Sequence, residues 1–271
     1  MKILTLNTHS LAEENATEKM ELFAGILEKE QPEVMAFQEV NQTMAEPFIN
    51  EKEVCGYQPV KGFEGKMRRD NYGASLAEAL RKKGLSYYWT WIPVKVGYDK
   101  YDEGLAIFSK SPILSSCVFN LSASDDYYNW KTRKTLGIHT EKGWFFTVHM
   151  GWWKDKEDPF AEQWAKLRNH CAEKERCLLM GDFNSPAHLE GEGYSLITAD
   201  GWQDAWRIAK NRDEGITVGG KIDGWREGKD DAMRIDFAFL RGLPAPDRSR
   251  VIFNDSFYPV ISDHYGVLTE W

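Results

Sequence analysis

An acid and an amide follow a short apolar run in the second half of the sequence. The run covers residues 177–180, and Gly181, Asp182, Phe183 and Asn184 come directly after it. Apolar runs of this length are typical of strands that are buried on both faces. Open α/β sheets bind ligands at the carboxyl ends of such strands, so Asp182 and Asn184 are candidate site residues. The alternative is a simple turn, which Gly, Asp and Asn favour for local reasons.

Polar side chains recur at the ends of predicted buried strands. The residues at such positions are Asn7, Glu39, His149, Asp182, Asn184, Asp236, Asp263 and His264. Each one alone has a structural explanation, because a buried histidine is usually hydrogen-bonded structure and an asparagine after a strand usually forms a turn. Their recurrence in one chain favours a single polar site.

Strands and a helix near the N-terminus are predicted to bring the first two of these residues together. Two short apolar runs predict strands, and Asn7 and Glu39 lie at the carboxyl ends of these strands. The helix between them has Thr17 as its N-cap and closes at Pro32. A crossover this short places both strands in one sheet, parallel or nearly so, and we therefore expect Asn7 and Glu39 to be neighbours.

The rest of the chain is predicted to contain more strands than helices. Helices are predicted at 71–83 and 159–174, and strands at 85–92, 104–109, 113–121, 133–140 and 144–150. The polar stretch 210–234 reads as a functional or mobile loop. The order of elements predicts an α/β protein with two sheets packed together and helices outside them. No linker or repeat divides the chain, so we expect one domain over residues 1–271.

The composition limits the classes of partner. A net charge of −8 and a pI near 5.4 disfavour a broad basic face for nucleic acid and suit a site that binds cations through carboxylates. The four cysteines form no CxxC pair, and neither a leader nor an apolar run long enough to span a bilayer is present. We therefore expect a cytoplasmic protein that acts on a small molecule rather than on a membrane. The oligomeric state stays open.

Five motifs, taken in chain order, resemble those of the endonuclease/exonuclease/phosphatase superfamily. They are Leu-Asn-Thr, Gln-Glu, Gly-Asp-Phe-Asn, Arg-Ile-Asp-Phe and Ser-Asp-His. The resemblance runs from Asn7 to His264 and so covers nearly the whole chain. It implies a four-layer α/β/β/α sandwich, which agrees with the order of elements. It also implies metal-dependent hydrolysis of a phosphate ester.

The resemblance implies a role for each polar residue of the metal and water sites. Glu39 is the principal ligand of Mg²⁺ or Mn²⁺, with Asn7 and Asp263 nearby. Asp182 aligns and deprotonates the attacking water, and Asn184 holds the phosphate or that water.

Two histidines complete the implied site. His264 donates a hydrogen bond to a phosphate oxygen, while Asp236 fixes its tautomer and raises its pKa. His149 resembles the second histidine of the deoxyribonuclease and sphingomyelinase branches. Glu103 stands where those branches place the acidic partner of that histidine, and Asp99 and Asp102 are close alternatives.

The residues outside the motifs favour a sugar phosphate as the substrate. Arg133 begins a strand that is expected to approach the site and bind the phosphate. Four of the 11 tryptophans fall in presumed rim loops, where flat aromatic faces suit sugar rings or bases; they are Trp130, Trp152, Trp153 and Trp225. The chain also resembles the maltose 6'-phosphate phosphatases of this superfamily in length, tryptophan-rich rim and lack of a leader.

We therefore expect a phosphomonoesterase that acts on a phosphorylated sugar such as maltose 6'-phosphate. One alternative is a nuclease that cleaves DNA or RNA, which predicts a continuous basic groove and salt-dependent binding. Another alternative is a catalytically inactive binding protein, which the presence of all the motifs disfavours.

Overall fold

The computed structural model describes residues 1–220 and 232–271 of the chain, and within these residues it contains fourteen strands and five α-helices. The strands are β1 (Lys2–Asn7), β2 (Val34–Gln38), β3 (Gln42–Thr43), β4 (Tyr88–Gly97), β5 (Tyr101–Ser109), β6 (Ser115–Asn120), β7 (Lys134–Thr140), β8 (Gly143–His149), β9 (Cys177–Asp182), β10 (Gln203–Asp204), β11 (Asn211–Arg212), β12 (Asp236–Arg241), β13 (Arg248–Ile252) and β14 (Gly266–Glu270). The helices are α1 (Ala16–Glu30), α2 (Tyr72–Lys82), α3 (Phe160–His170), α4 (Gly193–Ala199) and α5 (Ala205–Ile208).

The strands form two mixed sheets. The first sheet has the order β11-β13-β14-β1-β2-β5-β3, with β4 also paired to β5, and the second has the order β10-β12-β9-β8-β7-β6. Each sheet has a parallel pair near its centre, β1 with β2 and β8 with β9. A helix connects the strands of each pair, α1 in the first sheet and α3 in the second. The predicted parallel relation of the first two strands is therefore correct.

Helices cover the outer face of each sheet. Phe23 of α1 and Leu76 of α2 belong to the core of the first sheet, and Trp164 of α3 and Ile197 of α4 belong to that of the second. A third core joins the inner faces of the sheets; it includes Ile3, Val34, Ile107, Phe145, Leu178 and Met180. The four-layer α/β/β/α sandwich is therefore confirmed.

These cores fix the strand ends that carry the polar residues. Full burial of a large apolar side chain contributes about 1.5–3 kcal/mol. An exposed ion pair contributes only about 0–1 kcal/mol. Apolar packing, rather than surface charge, therefore holds the strands in place.

The turn between β4 and β5 differs from the sequence prediction. β4 continues through Pro93 to Gly97, with a register shift between Pro93 and Lys95, and the chain turns at Tyr98 and Asp99. Tyr98 and Asp99 have positive φ values of 53° and 51°, which suit a tight hairpin. Because β5 begins at Tyr101, Glu103 lies within a strand rather than just before one.

Smaller differences concern the helix ends and the distribution of the strands. Asn15, not Thr17, occupies the N-cap position of α1, and α3 ends at His170. The five consecutive strands predicted between residues 85 and 150 divide between the sheets, because β4 and β5 join the first and β6, β7 and β8 join the second. None of the helices in residues 1–220 and 232–271 contains an apolar stretch that could span a bilayer.

The polar stretch 210–234 is described only in part. Val218 and Met233 form an antiparallel bridge, and Val218 packs with Ile235 in a small core. Trp225, which was predicted to bind substrate, lies outside the described residues.

Candidate active site

Three neighbouring strands of the second sheet place three polar side chains side by side. β8 and β9 are parallel and pair His149 with Asp182, and antiparallel β12 pairs Asp236 with Asp182. Asp182 therefore lies between His149 and Asp236. This arrangement follows from the strand register and needs no loop.

The Oδ2 atom of Asp182 is the point on which three side chains converge. The distances to it are 3.3 Å from Asn7 Nδ2, 3.5 Å from His149 Nε2 and 3.8 Å from His264 Nε2. The Oδ1 atom of the same carboxylate accepts a hydrogen bond from the backbone N–H of Asn184 at 2.8 Å. One oxygen thus orients the carboxylate and the other faces the polar site.

Close contacts fix the backbone on either side of Asp182. Gly181 has a φ of 147°, and a Cβ atom at this position would lie 2.0 Å from the carbonyl oxygen of Val148. A side chain at position 181 would therefore push β8 and β9 apart. Asn184 has a φ of 47°, and its Nδ2 donates to the carbonyl oxygen of Met150 at 2.9 Å.

Asn7 connects the two sheets within the site. Its Nδ2 donates both to Glu39 Oε1 at 2.9 Å and to Asp182 Oδ2 at 3.3 Å. Glu39 has a φ of 52°, and its carbonyl oxygen accepts hydrogen bonds from Ser10 Oγ at 2.6 Å and Thr8 Oγ1 at 3.2 Å. The expected proximity of Asn7 and Glu39 is therefore observed.

Asp263 reaches the site through the loop before β14. Ser262 Oγ donates to the carbonyl oxygen of Asn7 at 2.7 Å, which ties this loop to the end of β1. The Oδ1 atom of Asp263 lies 4.0 Å from His9 Nδ1, and Glu13 accepts a hydrogen bond from the Asp263 backbone N–H at 3.1 Å. His9, Glu13 and Asp263 form a compact group of possible metal ligands.

The carboxylates of the site favour protonation in the absence of a cation. Burial, together with the charges of Glu103 and Asp263, raises the pKa of Glu39 to about 7. Burial also raises the pKa of Asp182 to about 7; the charge of Asp236 adds to this shift and that of His264 opposes it. Several carboxylates thus lie close together in one small, mostly buried region, where their negative charges repel each other.

The two histidines have opposite protonation tendencies. Burial, and then the positive charges of Arg133 and Lys95, hold the pKa of His149 well below its ordinary value. Burial also opposes protonation of His264, but the charges of Asp236 and Asp182 outweigh it and raise the pKa well above its ordinary value. A neutral His149 and a protonated His264 therefore flank Asp182, a separation typical of acid–base sites.

The carboxylate of Glu103 is paired with lysine rather than with His149. Lys95 lies opposite Glu103 in the β4–β5 pairing, and its Nζ is 3.3 Å from Glu103 Oε1. Glu103 and His149 line one cavity, but the carboxylates nearest to His149 Nε2 are those of Asp182 and Glu39, at 3.5 and 4.0 Å. The expected Glu103–His149 pair is therefore not formed.

The alternatives to Glu103 lie elsewhere. Asp102 points to the opposite face of β5, where it accepts hydrogen bonds from Arg68 Nε at 2.7 Å and Tyr127 Oη at 2.6 Å. Asp99 lies in the turn between β4 and β5. Of these three acids, Glu103 is the one that lines the cavity beside His149.

Two of the tryptophans that were expected to form an aromatic rim lie together near Arg133, and a third does not. Trp152 lies beside Arg133, with the guanidinium 5.7 Å from its ring centroid, and its ring is 5.4 Å from that of Trp130. Trp130 is 53% exposed, and Lys131 Nζ lies 5.5 Å from its ring centroid. Trp153 was expected in the same rim, but its ring lies 5.9 Å from Phe160 of α3 and packs against the helical layer. The chain turns at Trp153 and Lys154, where the Asp155 N–H donates to the carbonyl oxygen of Trp152 at 3.2 Å, and this turn separates the two tryptophans.

Two residues near the site were not predicted from the sequence. Lys95 is 7% exposed and donates to the carbonyl oxygen of Trp130 at 2.9 Å. A single lysine between Val94 and Val96 in an apolar strand was the available signal. The other residue is His9, whose Nδ1 lies 2.7 Å from Glu13 Oε1; despite burial, this acid and Asp263 raise its pKa to about 9.

The donor set fits a hard divalent cation. Glu39 and Asp263 offer carboxylate oxygens and Asn7 offers an amide oxygen, the ligand type that Mg²⁺ and Mn²⁺ prefer. The raised pKa of Glu39 shows that its charge lacks sufficient compensation from the protein alone. A cation at this place would supply that compensation.

The sequence model of the Endonuclease/Exonuclease/phosphatase family matches residues 4–264. The chain therefore belongs to this family, as its motifs indicated, and is a phosphoester hydrolase. Enzymes of this family generally use divalent metals, and the acidic groups described above are consistent with a metal site. Comparison with curated proteins found no significant match.

Several solved structures are similar over the whole chain. An endonuclease/exonuclease/phosphatase family protein from Leptotrichia buccalis is 29% identical with a TM-score of 0.85, covering 100% of this chain and 98% of its own. A mannosyl-6-phosphatase from Bacteroides thetaiotaomicron is 16% identical with a TM-score of 0.66, covering 100% and 98%. A 3' phosphatase from Neisseria, bound to a product DNA hairpin, is 18% identical with a TM-score of 0.63, covering 100% and 99%. At these last two identities the similarity shows the fold alone.

Proposed function

We propose that the protein is a divalent-metal-dependent phosphomonoesterase that acts on a small phosphorylated sugar, of which maltose 6'-phosphate is an example. The observation that carries the reaction class is the convergence of Asn7, His149 and His264 on the Oδ2 atom of Asp182. A carboxylate in this position suits the activation of water beside a phosphoryl group.

The cytoplasmic location of the protein stays a prediction.

The residues of the chain have distinct tasks in the proposed reaction. Mg²⁺ or Mn²⁺, held by Glu39 with Asn7 and Asp263 nearby, would neutralise charge on the phosphate oxygens. Asp182 accepts a proton from the attacking water through Oδ2. Asn184, whose Nδ2 is tied to Met150, offers its amide oxygen to that water.

The two histidines act on the phosphoryl group from their different protonation states. His264, held in the protonated form, donates from Nε2 to a phosphate oxygen as negative charge develops there. Asp236 accepts from His264 Nδ1 at 3.0 Å and thereby orients the ring. Neutral His149 lies 3.5 Å from Asp182 Oδ2 and lines the adjoining cavity. In this proposal it positions the phosphoryl group, and Glu103 acts through Lys95 rather than on the ring.

The surroundings of the site favour a sugar over a nucleic acid as the group to which the phosphate is attached. Trp130 and Trp152 offer aromatic faces next to Arg133, and such faces stack on sugar rings. The net charge of −8 gives little support for gripping a long polyanion. A mannosyl-6-phosphatase shares the fold. A nuclease is the second candidate, because the Neisseria 3' phosphatase bound to a product DNA hairpin also shares the fold.

A substrate screen tests this proposal. Purified wild-type protein is incubated with sugar phosphates, nucleotides and plasmid DNA in the presence of Mg²⁺ or Mn²⁺, and released phosphate and DNA nicking are measured. Asp182→Ala, purified in parallel, controls for contaminating phosphatases. We expect sugar-phosphate hydrolysis that requires metal and is absent from D182A. Cleavage of plasmid DNA without any sugar-phosphate hydrolysis would instead establish the nuclease.

The role of the aromatic rim is tested separately. Because Trp130 is 53% exposed, Trp130→Ala removes its ring at little cost in stability. We expect KM for the best sugar phosphate to rise about 3- to 10-fold, the value of one aromatic stacking contact, while glycerol phosphate is little affected. Leu114→Ala removes a side chain that is 63% exposed and serves as the control. An equal change for both substrates would place Trp130 outside the sugar site.

A further inference from the structure

Lys95 and Arg133 form a cationic pair beside the candidate active site. Lys95 lies on β4 of the first sheet, and Arg133 directly precedes β7 of the second. They are 7% and 3% exposed, respectively, and Arg133 lines one cavity with Glu103, the carboxylate that lies 3.3 Å from Lys95 Nζ. Glu103 thus links two buried cations, one from each sheet.

Among the described residues, one carboxylate forms an ion pair with these two cations. Glu103 Oε1 lies 3.3 Å from Lys95 Nζ. Arg133 Nε has no hydrogen-bond partner, and the described residues offer the guanidinium no ion pair. A buried cation without a partner is costly, so the guanidinium of Arg133 suits an anion from outside the chain.

Arg133 and Glu103, the carboxylate partner of Lys95, border the reacting centre. Glu103, Arg133 and His149 line one cavity, and His149 Nε2 lies 3.5 Å from Asp182 Oδ2. An anion in this cavity is therefore adjacent to the carboxylate that activates water. Nζ of Lys95 has three N–H groups, and contacts with Glu103 and Trp130 O account for two of them.

We propose that Lys95, together with Arg133, binds the additional negative charge of a phosphomonoester and so selects monoesters over diesters. Near neutral pH a phosphomonoester carries close to two negative charges, since its second pKa is about 6, whereas a diester carries one. A second positive group at the phosphoryl site therefore favours the monoester. The inference rests on the proposed function, because it assumes that the phosphoryl group binds between Glu39 and Asp182.

Lys95→Met tests this role, since methionine keeps an unbranched side chain of nearly the same length and removes the terminal charge. The activities of wild type and K95M are compared on p-nitrophenyl phosphate and bis-p-nitrophenyl phosphate with Mg²⁺. We expect kcat/KM for the monoester to fall about 100-fold, the typical cost of one charge-stabilising donor, with little change for the diester. The ratio between the two substrates is the decisive measurement.

A matched control separates charge from loop position. Lys95 also holds the loop that carries Trp130, and Tyr127 holds the same loop through Asp102. Tyr127→Phe loosens this loop without changing charge at the site, and we expect it to keep the wild-type ratio. If Y127F lowers the ratio as much as K95M does, the charge of Lys95 is not the cause and the inference is wrong.

The remaining outcomes are also distinguishable. Equal losses on both esters in K95M, or no loss on either, would overturn the inference and leave the proposed function intact. A wild-type enzyme that cleaves only the diester would overturn the proposed function itself. If K95M does not fold, Arg133→Gln replaces it, because removing a buried cation without a partner is expected to preserve stability. A selective loss of monoester activity is expected there too, and an unchanged ratio would contradict the inference.

Discussion

The Nδ1 atom of His264 lies 3.0 Å from the Oδ2 atom of Asp236, although 28 residues separate them in the chain. Both side chains are buried, and the Nε2 atom on the other side of the ring lies 3.8 Å from Asp182 Oδ2. Thr217 Oγ1 accepts hydrogen bonds from the backbone N–H groups of Ile235 and Asp236, at 3.0 and 3.2 Å, and fixes the start of β12. The ring of His264 is thus oriented from the second sheet.

The charge of Asp236 is expected to set the protonation range of His264. Asp236→Asn retains a polar group at the same place and removes one cause of the raised pKa of His264. The ring then loses its proton at a lower pH, so the alkaline limb of the pH–rate profile shifts to lower pH. At pH 8 we expect kcat/KM to fall about 10²- to 10⁴-fold. An NMR titration of the ring measures the shift directly.

His264→Ala removes the donor itself, and its activity is expected to be lost at every pH. His139→Ala is the control, because His139 lies on β7 and is paired with Trp144, at the far end of β8 from His149. Wild-type activity in H264A would exclude the proposed role of this histidine.

Asp182→Asn is expected to abolish turnover without loss of stability. The pKa of Asp182 is raised to about 7, so the folded state favours its protonated form and the charged carboxylate costs stability as pH rises through 7. An uncharged amide removes this cost. At pH 8 the metal-free variant should therefore melt at or above the temperature of wild type, and the difference should shrink at pH 5. A large drop in the melting temperature would show that the carboxylate is needed for folding.

Metal affinity is expected to depend on pH. In the metal-free protein the pKa of Glu39 is about 7, so a cation displaces a proton from this carboxylate at lower pH. Below pH 7 the apparent affinity for Mg²⁺ should weaken about tenfold per pH unit for each proton displaced.

Calorimetry in buffers of different ionisation enthalpy counts the released protons. The same linkage acts on stability, because the contribution of Glu39 to the metal-free protein is present below its unfolded pKa and is lost as pH rises through about 7. Stabilisation by Mg²⁺ should accordingly be larger at pH 8 than at pH 6. Equal affinity at both values would argue against Glu39 as a ligand.

Glu30, at the end of α1, is expected to stabilise the fold far from the site. Its carboxylate accepts hydrogen bonds from Lys2 Nζ at 3.0 Å, Arg250 Nη2 at 2.9 Å and Tyr258 Oη at 2.8 Å. Glu30→Gln should lower the free energy of unfolding by about 1–3 kcal/mol at pH 7. Glu28→Gln, on the same helix at a side chain that is 48% exposed, should have an effect within about 0.5 kcal/mol.

The effect of Glu30 should vanish in acid. Partial burial opposes ionisation, but the hydrogen bonds from Tyr258 and Lys2 and the charge of Arg250 lower the pKa of Glu30. Its contribution is therefore present above the unfolded pKa, about 4.3, and is lost as pH falls through the folded value. Urea unfolding at pH 7 and pH 3 measures this change. A constant difference between wild type and E30Q would contradict it.

The sequence alone was sufficient for the layers and for the positions of the main polar residues. Buried strands appear as short apolar runs, and helices between them as amphipathic segments, so both can be read locally. Since α1 and α3 each connect a parallel pair, the residues at the carboxyl ends of β1 and β8 had to lie at one edge of their sheets. Asn7 and Glu39 could therefore be grouped from the sequence, whereas the pairing of His149 with Asp182 came from the structure.

Only the tertiary structure decided which charges face each other. Lys95 contacts Glu103 because of the register between β4 and β5, which depends on the turn at Tyr98 and Asp99. Arg133, which directly precedes β7 of the other sheet, lines the same cavity as Glu103. Trp152 and Trp153 diverge because the chain turns at Trp153 and Lys154. Contacts between strands that are distant in sequence depend on register and packing. Register and packing leave no local pattern in the sequence. The binding of the phosphate and its attached group depends on the contacts that they set.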